Sequence, residues 1–474
     1  MNFVKKYYWA IIPIIGWIIV RFGFDFNGLY GQDAYAYLLH TREWKAFFLG
    51  GNTPGSFFWP ANYSIVSAFL AFLVKTEFYS LQLVSVLSMI GLGWILDSWI
   101  KKTHQQTDEA TRIVFVSIAF LVSPFMFRLG MQSMSDMLAM LFLTASFYCL
   151  SLYFQTDRIQ SFLCWSAFSA LAITTRYPAV VVLMPSIGFI AFQLLSRGQF
   201  KRLVIGLLVG LIPLSMAIWW KLTSGGMENV LAIDLIQDWN VFHFFQSEFS
   251  TFDTNSKFTL PNLLFNLSVW VHPGTLFLGA ILFPLSFRNL RNDSVRILLL
   301  ISILLYAFFL SGIPFQNSRV ATFTFPLIIV FLFPGFARFT EWLKLKPIPK
   351  RYLLFAVLVI QVALCSRAVK PSISYNLFER ELATWVETNC ASKTVYTSSY
   401  SQLFEVYETG NRVVQIFDAP VNAFEDDAVF IFNRSWANFK LKGTMPLQNW
   451  ESAQNLMKVE EEKCWPNGWC VYSL

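Results

Sequence analysis

Apolar residues run in blocks long enough to approach the ~20 residues of a spanning helix, beginning with Tyr7 to Val20, and polar residues collect between the blocks. No small-residue cleavage site follows that first block, so it reads as a retained anchor and not a signal peptide. Basic clusters at Lys5-Lys6, Lys101-Lys102, Arg197 with Lys201-Arg202, Arg288 with Arg291 and Arg296, and Lys344 to Arg351 are expected on the cytoplasmic side. Four apolar blocks (near 112–128, 136–154, 161–175 and 177–195) separate Lys102 from Arg197, an even number that returns the chain to the same side. Blocks near 203–221, 263–287, 297–311, 320–337 and 352–366 alternate equally well. One interval does not: two blocks, Phe57–Val74 and Tyr79–Ile100, lie between an outer Asp33 and an inner Lys101, where an odd number is required. Either one of them is re-entrant or interfacial, or Lys101 stands against the rule. The pattern predicts a polytopic α-helical membrane protein of about eleven to thirteen transmembrane helices, with outer loops at 21–60 and 222–262.

After residue 367 the pattern changes. Glu379 to Asn389 has helical periodicity, whereas Lys393–Tyr396, Val413–Phe417 and Ala428–Phe432 are short β-branched or aromatic runs between turn signals. Residues 1–367 are therefore expected to form the membrane domain, and 368–474 a small extracytoplasmic α/β domain. The portion 228–245 of the large loop reads as an amphipathic interfacial helix.

Composition sharpens this picture without changing it. The chain has 474 residues, 55% hydrophobic and only 14% charged, too few charges for an ordinary soluble protein. The net charge of +7 sits in short loops, so it reports topology and not nucleic-acid binding. Cys149, Cys164 and Cys365 fall inside apolar blocks, while Cys464 and Cys470 could pair if the tail faces an oxidising compartment. Gly91-Leu-Gly93 lies within an apolar block, where close helix packing explains it better than phosphate binding.

Candidate chemistry gathers at the outer face. In residues 27–44, NGLYGQDAYAYLLHTREW, a helix would align Tyr30, Asp33, Tyr37, His40 and Trp44 along one face. A carboxylate among aromatic rings suits sugar handling, the acid taking a hydroxyl proton while rings stack on the pyranose; Asp33 could equally be a helix N-cap. Asp136 opens an apolar block just after an outer turn, where an ionisable residue suggests function, with Ser133 or Ser135 competing for the cap. Arg128, Arg176 and Arg319 are expected outside, against the positive-inside tendency. Each could snorkel or pair with an acid, or the group could hold an anion such as a lipid-linked phosphate. His243, beside aromatic residues in the large loop, is a further candidate for substrate contact. No metal-ligand spacing is present in the sequence, although Asp33 and Asp136 could share a loosely held divalent cation.

The order of segments, with GQDAYAYL at 31–38, FWPANYSIVSAFLAFL at 58–73, SPFMFRLGMQSMSDMLAMLFLTASFY at 123–148 and ALAITTRYPAVVVLMP at 170–185, resembles the GT-C superfamily of polytopic glycosyltransferases. The likeness is to its protein-mannosyltransferase-like and aminoarabinose-transferase-like members, over roughly residues 1 to 220 in pattern. It implies a polyprenyl-phosphate sugar donor bound from the membrane, a lipid, glycan or protein acceptor, and a site at the outer face of a bacterial cytoplasmic membrane. It places the general base at Asp33, a site organiser at Asp136, and basic groups for the donor phosphate at Arg176 and Arg319. Two departures bear on metal dependence and acceptor class: Ala34 where many relatives carry a second acid, and Trp59-Pro60-Ala61-Asn62 in place of a basic residue and paired prolines. A lipid-linked saccharide transporter or flippase is the alternative from another class, and an oligosaccharide ligase the alternative within enzymes. Few charges near block centres, and no repeat symmetry, favour the enzyme.

The topology has a direct check. Alkaline phosphatase fused after residue 224 or after residue 474 should be active in cells, and fused after Lys201 it should be silent; the reverse pattern would invert the orientation.

Overall fold

The computed structural model describes residues 2–474 apart from 226–237, 248, 251–256, 259, 273–278, 289, 315, 345–349, 418 and 438–443. The chain divides into two compact units, Met1–Gly28 with His40–Pro371, and Leu29–Leu39 with Ser372–Leu474.

Ten helices make up the first half of the chain: α1 (Asn2–Ile18), α2 (Gly31–Phe48), α3 (Asn62–Val74), α4 (Glu77–Thr103), α5 (Glu109–Val116), α6 (Pro124–Met131), α7 (Asp136–Thr156), α8 (Ile159–Thr175), α9 (Ala179–Ser196) and α10 (Phe200–Thr223). A two-stranded hairpin of β1 (Phe249–Ser250) and β2 (Lys257–Phe258) precedes α11 (Asn262–Ser268), α12 (Gly279–Ser286), α13 (Ser294–Ser311), α14 (Ser318–Ala321), α15 (Phe325–Lys344) and the long α16 (Lys350–Asn389). Among the described residues eight stretches are long and apolar enough to cross a bilayer, and a ninth if the pair 109–121 and 124–131, bent by 63°, is one span. The chain is an integral membrane protein. The count falls below eleven to thirteen because α3 and α8 are short, with 13 and 17 residues, and because part of the 263–287 block lies outside the described residues.

The short α3 bears on the parity problem. Thirteen residues rise about 20 Å, less than the ~30 Å hydrocarbon core, whereas α4 with 27 residues is long enough to cross. A single crossing between Asp33 and Lys101, made by α4, is the odd number that the charge pattern calls for. Helix starts follow local chemistry: the side chains of Thr76, Asp108 and Asp293 accept hydrogen bonds from the amides of Tyr79, Thr111 and Arg296, capping α4, α5 and α13. Pro124 opens α6 and forces the bend after the π-helical turn Ser117–Leu121.

Packing in the membrane unit uses small residues and a few buried polar ties. A Cβ on Gly91 would meet Leu141 at 3.0 Å, and one on Gly93 would meet Trp9 and Leu121 at 3.1 Å, the close approach expected of this pair. Asp97 on α4 accepts from Tyr8 of α1 (2.8 Å) and from Nε of Arg112 of α5 (2.7 Å), joining three helices. The Ser318–Leu343 stretch is almost wholly buried, whereas α1 and α10 expose most of their apolar surface, as helices facing lipid do.

In the second unit five strands form one sheet in the order β4-β3-β5-β7-β6: β3 (Thr394–Thr397), β4 (Arg412–Gln415), β5 (Val429–Asn433), β6 (Glu460–Cys464) and β7 (Trp469–Ser473). β3 pairs parallel with β4 and β5, while β7 runs antiparallel to β5 and β6. Cys464 and Cys470, partners across β6 and β7, form a disulfide. Helices α17 (Ser401–Val406), α18 (Arg434–Ala437) and α19 (Met445–Leu456) accompany the sheet. Trp450 of α19 stacks on Phe432 at 5.0 Å and meets Tyr472 at 4.5 Å, anchoring the core of this unit.

Trp450→Ala should destabilise the tail unit by about 3–5 kcal/mol, the usual cost of deleting a buried aromatic. Limited proteolysis of the full-length protein should then cut within 372–474 far faster than in wild type; unchanged protection would show that Trp450 is not a core anchor.

Candidate active site

Three helix ends converge in the membrane unit. Asp136 is the first residue of α7, Arg176 follows the last residue of α8, and Arg319 lies in α14. The Arg176 guanidinium donates from Nη1 to Oδ1 of Asp136, and Nε of Arg319 stands 3.7 Å from the other carboxylate oxygen, Oδ2. Asp136 is 1% exposed and Arg176 6%. Helix termini favour this arrangement, since the amino end of α7 stabilises a carboxylate and the carboxyl end of α8 a guanidinium.

Polar residues inside apolar runs hold the three ends in place. Gln82 of α4 donates from Nε2 to the carbonyls of Phe26 (3.3 Å) and Met131 (2.9 Å) and accepts from Trp17 Nε1 (3.0 Å); Ser85 donates to Met134 (3.3 Å). Together they brace the loop that delivers Asp136. Asn62, at the start of α3, donates to Thr174 Oγ1 (2.8 Å) and Thr175 Oγ1 (3.3 Å), fastening the end of α8 just before Arg176. Asn317 caps the turn carrying Arg319 by accepting its amide at 2.8 Å. Before that turn, Asn266 Nδ2 donates to Gln316 Oε1 (2.8 Å), and Gln316 Nε2 donates to the carbonyls of Leu310 and Ile313. The fully buried Tyr306 donates to the Val320 carbonyl (3.1 Å), and in the turn after Arg176 burial pushes the Tyr177 hydroxyl up to about 12.

Asp136, Arg176 and Arg319, selected in the sequence as outer-face charges, are thus brought together. Capping does not account for Asp136, because Ser135 occupies the cap position of α7 and Asp136 turns its carboxylate to the arginines. Arg128, at the end of α6, rests over the Phe125 ring at 5.6 Å, and among the described residues it is not an ion-pair partner of Asp136. His243 lies in a 3₁₀ turn, Val241–Phe245, and its Nδ1 meets the Gly312 carbonyl at 2.9 Å; with Trp239 Nε1 on the Phe309 carbonyl (2.8 Å), it anchors the loop to α13. The amphipathic helix expected at 228–245 is replaced over 241–245 by that turn, and 228–237 lie outside the described residues.

Asp33 belongs to the second unit. It lies in the first turn of α2, inside the helix and not at its cap, and is half-buried. Tyr37, one turn on, is buried, and Tyr35 donates to Oε2 of the fully buried Glu379 at 3.1 Å. The aromatic face drawn from Tyr30 to Trp44 divides between the units. His40 and Trp44 fall in the membrane unit, where Trp44 Nε1 donates to His40 Nε2 (3.1 Å) and both pack on Trp220, so they are core residues there.

Donor chemistry decides what this site could hold. Asp136 faces two guanidiniums, so it is poorly suited to a cation, and the shared divalent ion considered for Asp33 and Asp136 does not fit the Asp136 side. The one cluster of His, Cys or acidic groups close enough for a metal among the described residues is Glu461 with Cys464 and Cys470, whose sulfurs are already bonded to each other. An anion fits: two cations against one carboxylate leave a formal surplus of one positive charge, and among the described residues Arg176 Nε has no hydrogen-bond partner.

Comparison with known proteins agrees with this architecture. Residues 60–220 match the family model for dolichyl-phosphate-mannose-protein mannosyltransferase. The fold is similar to that of ArnT from Cupriavidus metallidurans, solved in the apo state (TM-score 0.61, 12% identity) and bound to undecaprenyl phosphate (TM-score 0.59, 13% identity). Each match covers 98% of this chain and 97% of the other. No curated protein matches at the level of sequence. The shared fold and the family-model match over residues 60–220 both agree with the GT-C class of membrane glycosyltransferases that the motif order resembles.

The buried ion group makes a specific prediction. Asp136→Ala leaves two guanidiniums facing each other without a counter-charge and should cost about 3–5 kcal/mol, whereas Arg319→Ala keeps the Arg176 pair and should cost distinctly less. Thermal unfolding of the purified variants in detergent checks the order; equal losses would mean that Asp136 is not the electrostatic centre.

Proposed function

We propose that this protein transfers a sugar from a polyprenyl-phosphate-linked donor to an acceptor at the outer face of a bacterial cytoplasmic membrane. The observation that carries the reading is the buried Asp136 bearing two arginines, a cationic surplus matched to a phosphate. In the reaction an acceptor hydroxyl or amine attacks the anomeric carbon as the bond from that carbon to the phosphate oxygen breaks. The electron pair leaves with the lipid phosphate, whose charge rises from −1 to −2, and Arg176 and Arg319 stabilise that gain. Asp33 takes the acceptor proton as general base, and a single displacement inverts the anomeric centre. Asp136 orients both guanidiniums without entering the bond changes.

Two further observations support this reading. ArnT, whose fold this chain shares, has been solved bound to undecaprenyl phosphate. All three charges lie at helix ends and not at mid-helix, which suits chemistry at a membrane face better than a transport path through it. The acceptor is a lipid, glycan or protein, and the group transferred is hexosyl or pentosyl.

The test is turnover of polyprenyl-phosphate and polyprenyl-diphosphate sugars by the purified protein, with acceptor extracts supplied. Wild type should consume the monophosphate donor, and Asp33→Asn should lower kcat by about 10²- to 10⁴-fold, the range for loss of a general base. A donor left untouched, or an Asp33→Asn variant as active as wild type, would overturn the assignment.

A further inference from the structure

A polar cavity lies at the other ends of the membrane helices. Its volume is about 560 Å³, within the range of small-molecule sites. It is formed where α4, α7 and α9 finish and α13 begins, the ends that the basic loops put on the cytoplasmic side. One wall is apolar, built from Trp99, Phe154, Phe189, Leu299 and Val330, and the other carries Lys102, Gln155, Gln193, Asp293 and Arg296.

The polar wall is incompletely satisfied. Arg296 is 7% exposed, donates from Nη2 to the Ser286 carbonyl and lies 5.3 Å over the Phe331 ring, and its Nε is buried without a hydrogen-bond partner among the described residues. Gln193 Oε1 is likewise buried and unpartnered. Asp293 spends one oxygen on the Arg296 amide as the cap of α13 (3.1 Å), and the wall as a whole, with Lys102 and Arg296 against Asp293, is positive by one formal charge. A cavity wall that sets a lysine and an arginine against one carboxylate is a site for an oxyanion.

The apolar wall says how that anion is presented. Phe189 lines the cavity and is 38% exposed, on a helix that also turns Met184, Phe192 and Leu195 outward. The greasy side of the cavity therefore runs into the surface that faces lipid. We infer that this cavity binds a phosphate carried by an anionic lipid of the cytoplasmic leaflet, the headgroup on Lys102 and Arg296 and a chain along Phe154 and Phe189. The site is distinct from the Asp136 group in every residue and does not depend on the proposed transferase reaction.

Native mass spectrometry of the full-length protein in detergent, titrated with phosphatidylglycerol, phosphatidylcholine or inorganic phosphate, tests this. Wild type should retain phosphatidylglycerol over phosphatidylcholine, and Lys102→Glu should weaken that retention about tenfold, as for one lost charge-assisted contact. Arg296→Lys, which keeps the charge and loses the fork, should weaken it as well, and Lys458→Glu, on the exposed surface of the tail unit, should leave it unchanged. Equal retention in wild type and Lys102→Glu, or equal losses in Lys102→Glu and Lys458→Glu, would overturn the site. Millimolar inorganic phosphate that displaces the lipid completely would overturn the lipid as its source.

Discussion

A single carboxylate facing two guanidiniums, at a point where three helices end, is the constraint around which the membrane unit is arranged. A buried ion pair is expensive to desolvate and gains little net stability over an apolar replacement, so its presence calls for a reason other than holding the fold together. The surplus cation supplies one: a site left positive when empty offsets one negative charge of a phosphate that it holds. The same imbalance makes Asp136 unfit for a metal ion and fit for orienting the arginines.

That arrangement needs three independent loops to be held accurately, and the structure does so with neutral amides and hydroxyls. Gln82 and Ser85 fix the approach to Asp136, Asn62 the approach to Arg176, and Asn317 with the Asn266–Gln316 pair the approach to Arg319. Neutral groups can be buried at low cost once their hydrogen bonds are made, so they brace a charged centre without adding to its electrostatic burden. Asn62 stands in the segment that departs from the usual GT-C pattern, and its hydrogen bonds to Thr174 and Thr175 give that departure a structural role.

Much of this was legible in the sequence because charge in an apolar chain is rare and therefore informative. Arg176, Arg319 and Asp136 stood out as ionisable residues on a face where topology did not call for them, and the three come together. The strands 394–397, 412–415 and 429–433 were visible through β-branched and aromatic runs. Strand β6, Glu460–Cys464, was not: it is an edge strand with sequence EEEKC, whose charges guard an open edge and conceal its conformation. Gln82, Ser85 and Asn62 were equally hidden, since a neutral polar residue in an apolar run carries no sign by which a partner can be guessed. The aromatic face of α2 misled in another way, because helical spacing aligns side chains without saying what they pack on; His40 and Trp44 went to the core against Trp220.

The central claim is that the Arg176–Asp136–Arg319 group is built to receive a lipid phosphate. Its most direct test is equilibrium binding of polyprenyl phosphate and of the corresponding uncharged polyprenol to wild type and to Arg176→Gln, with folding verified by thermal unfolding. Wild type should prefer the phosphate strongly over the alcohol, and the folded variant should lose most of that preference while keeping its affinity for the alcohol. Equal affinity of wild type for the two lipids, or an undiminished preference in the variant, would contradict the account.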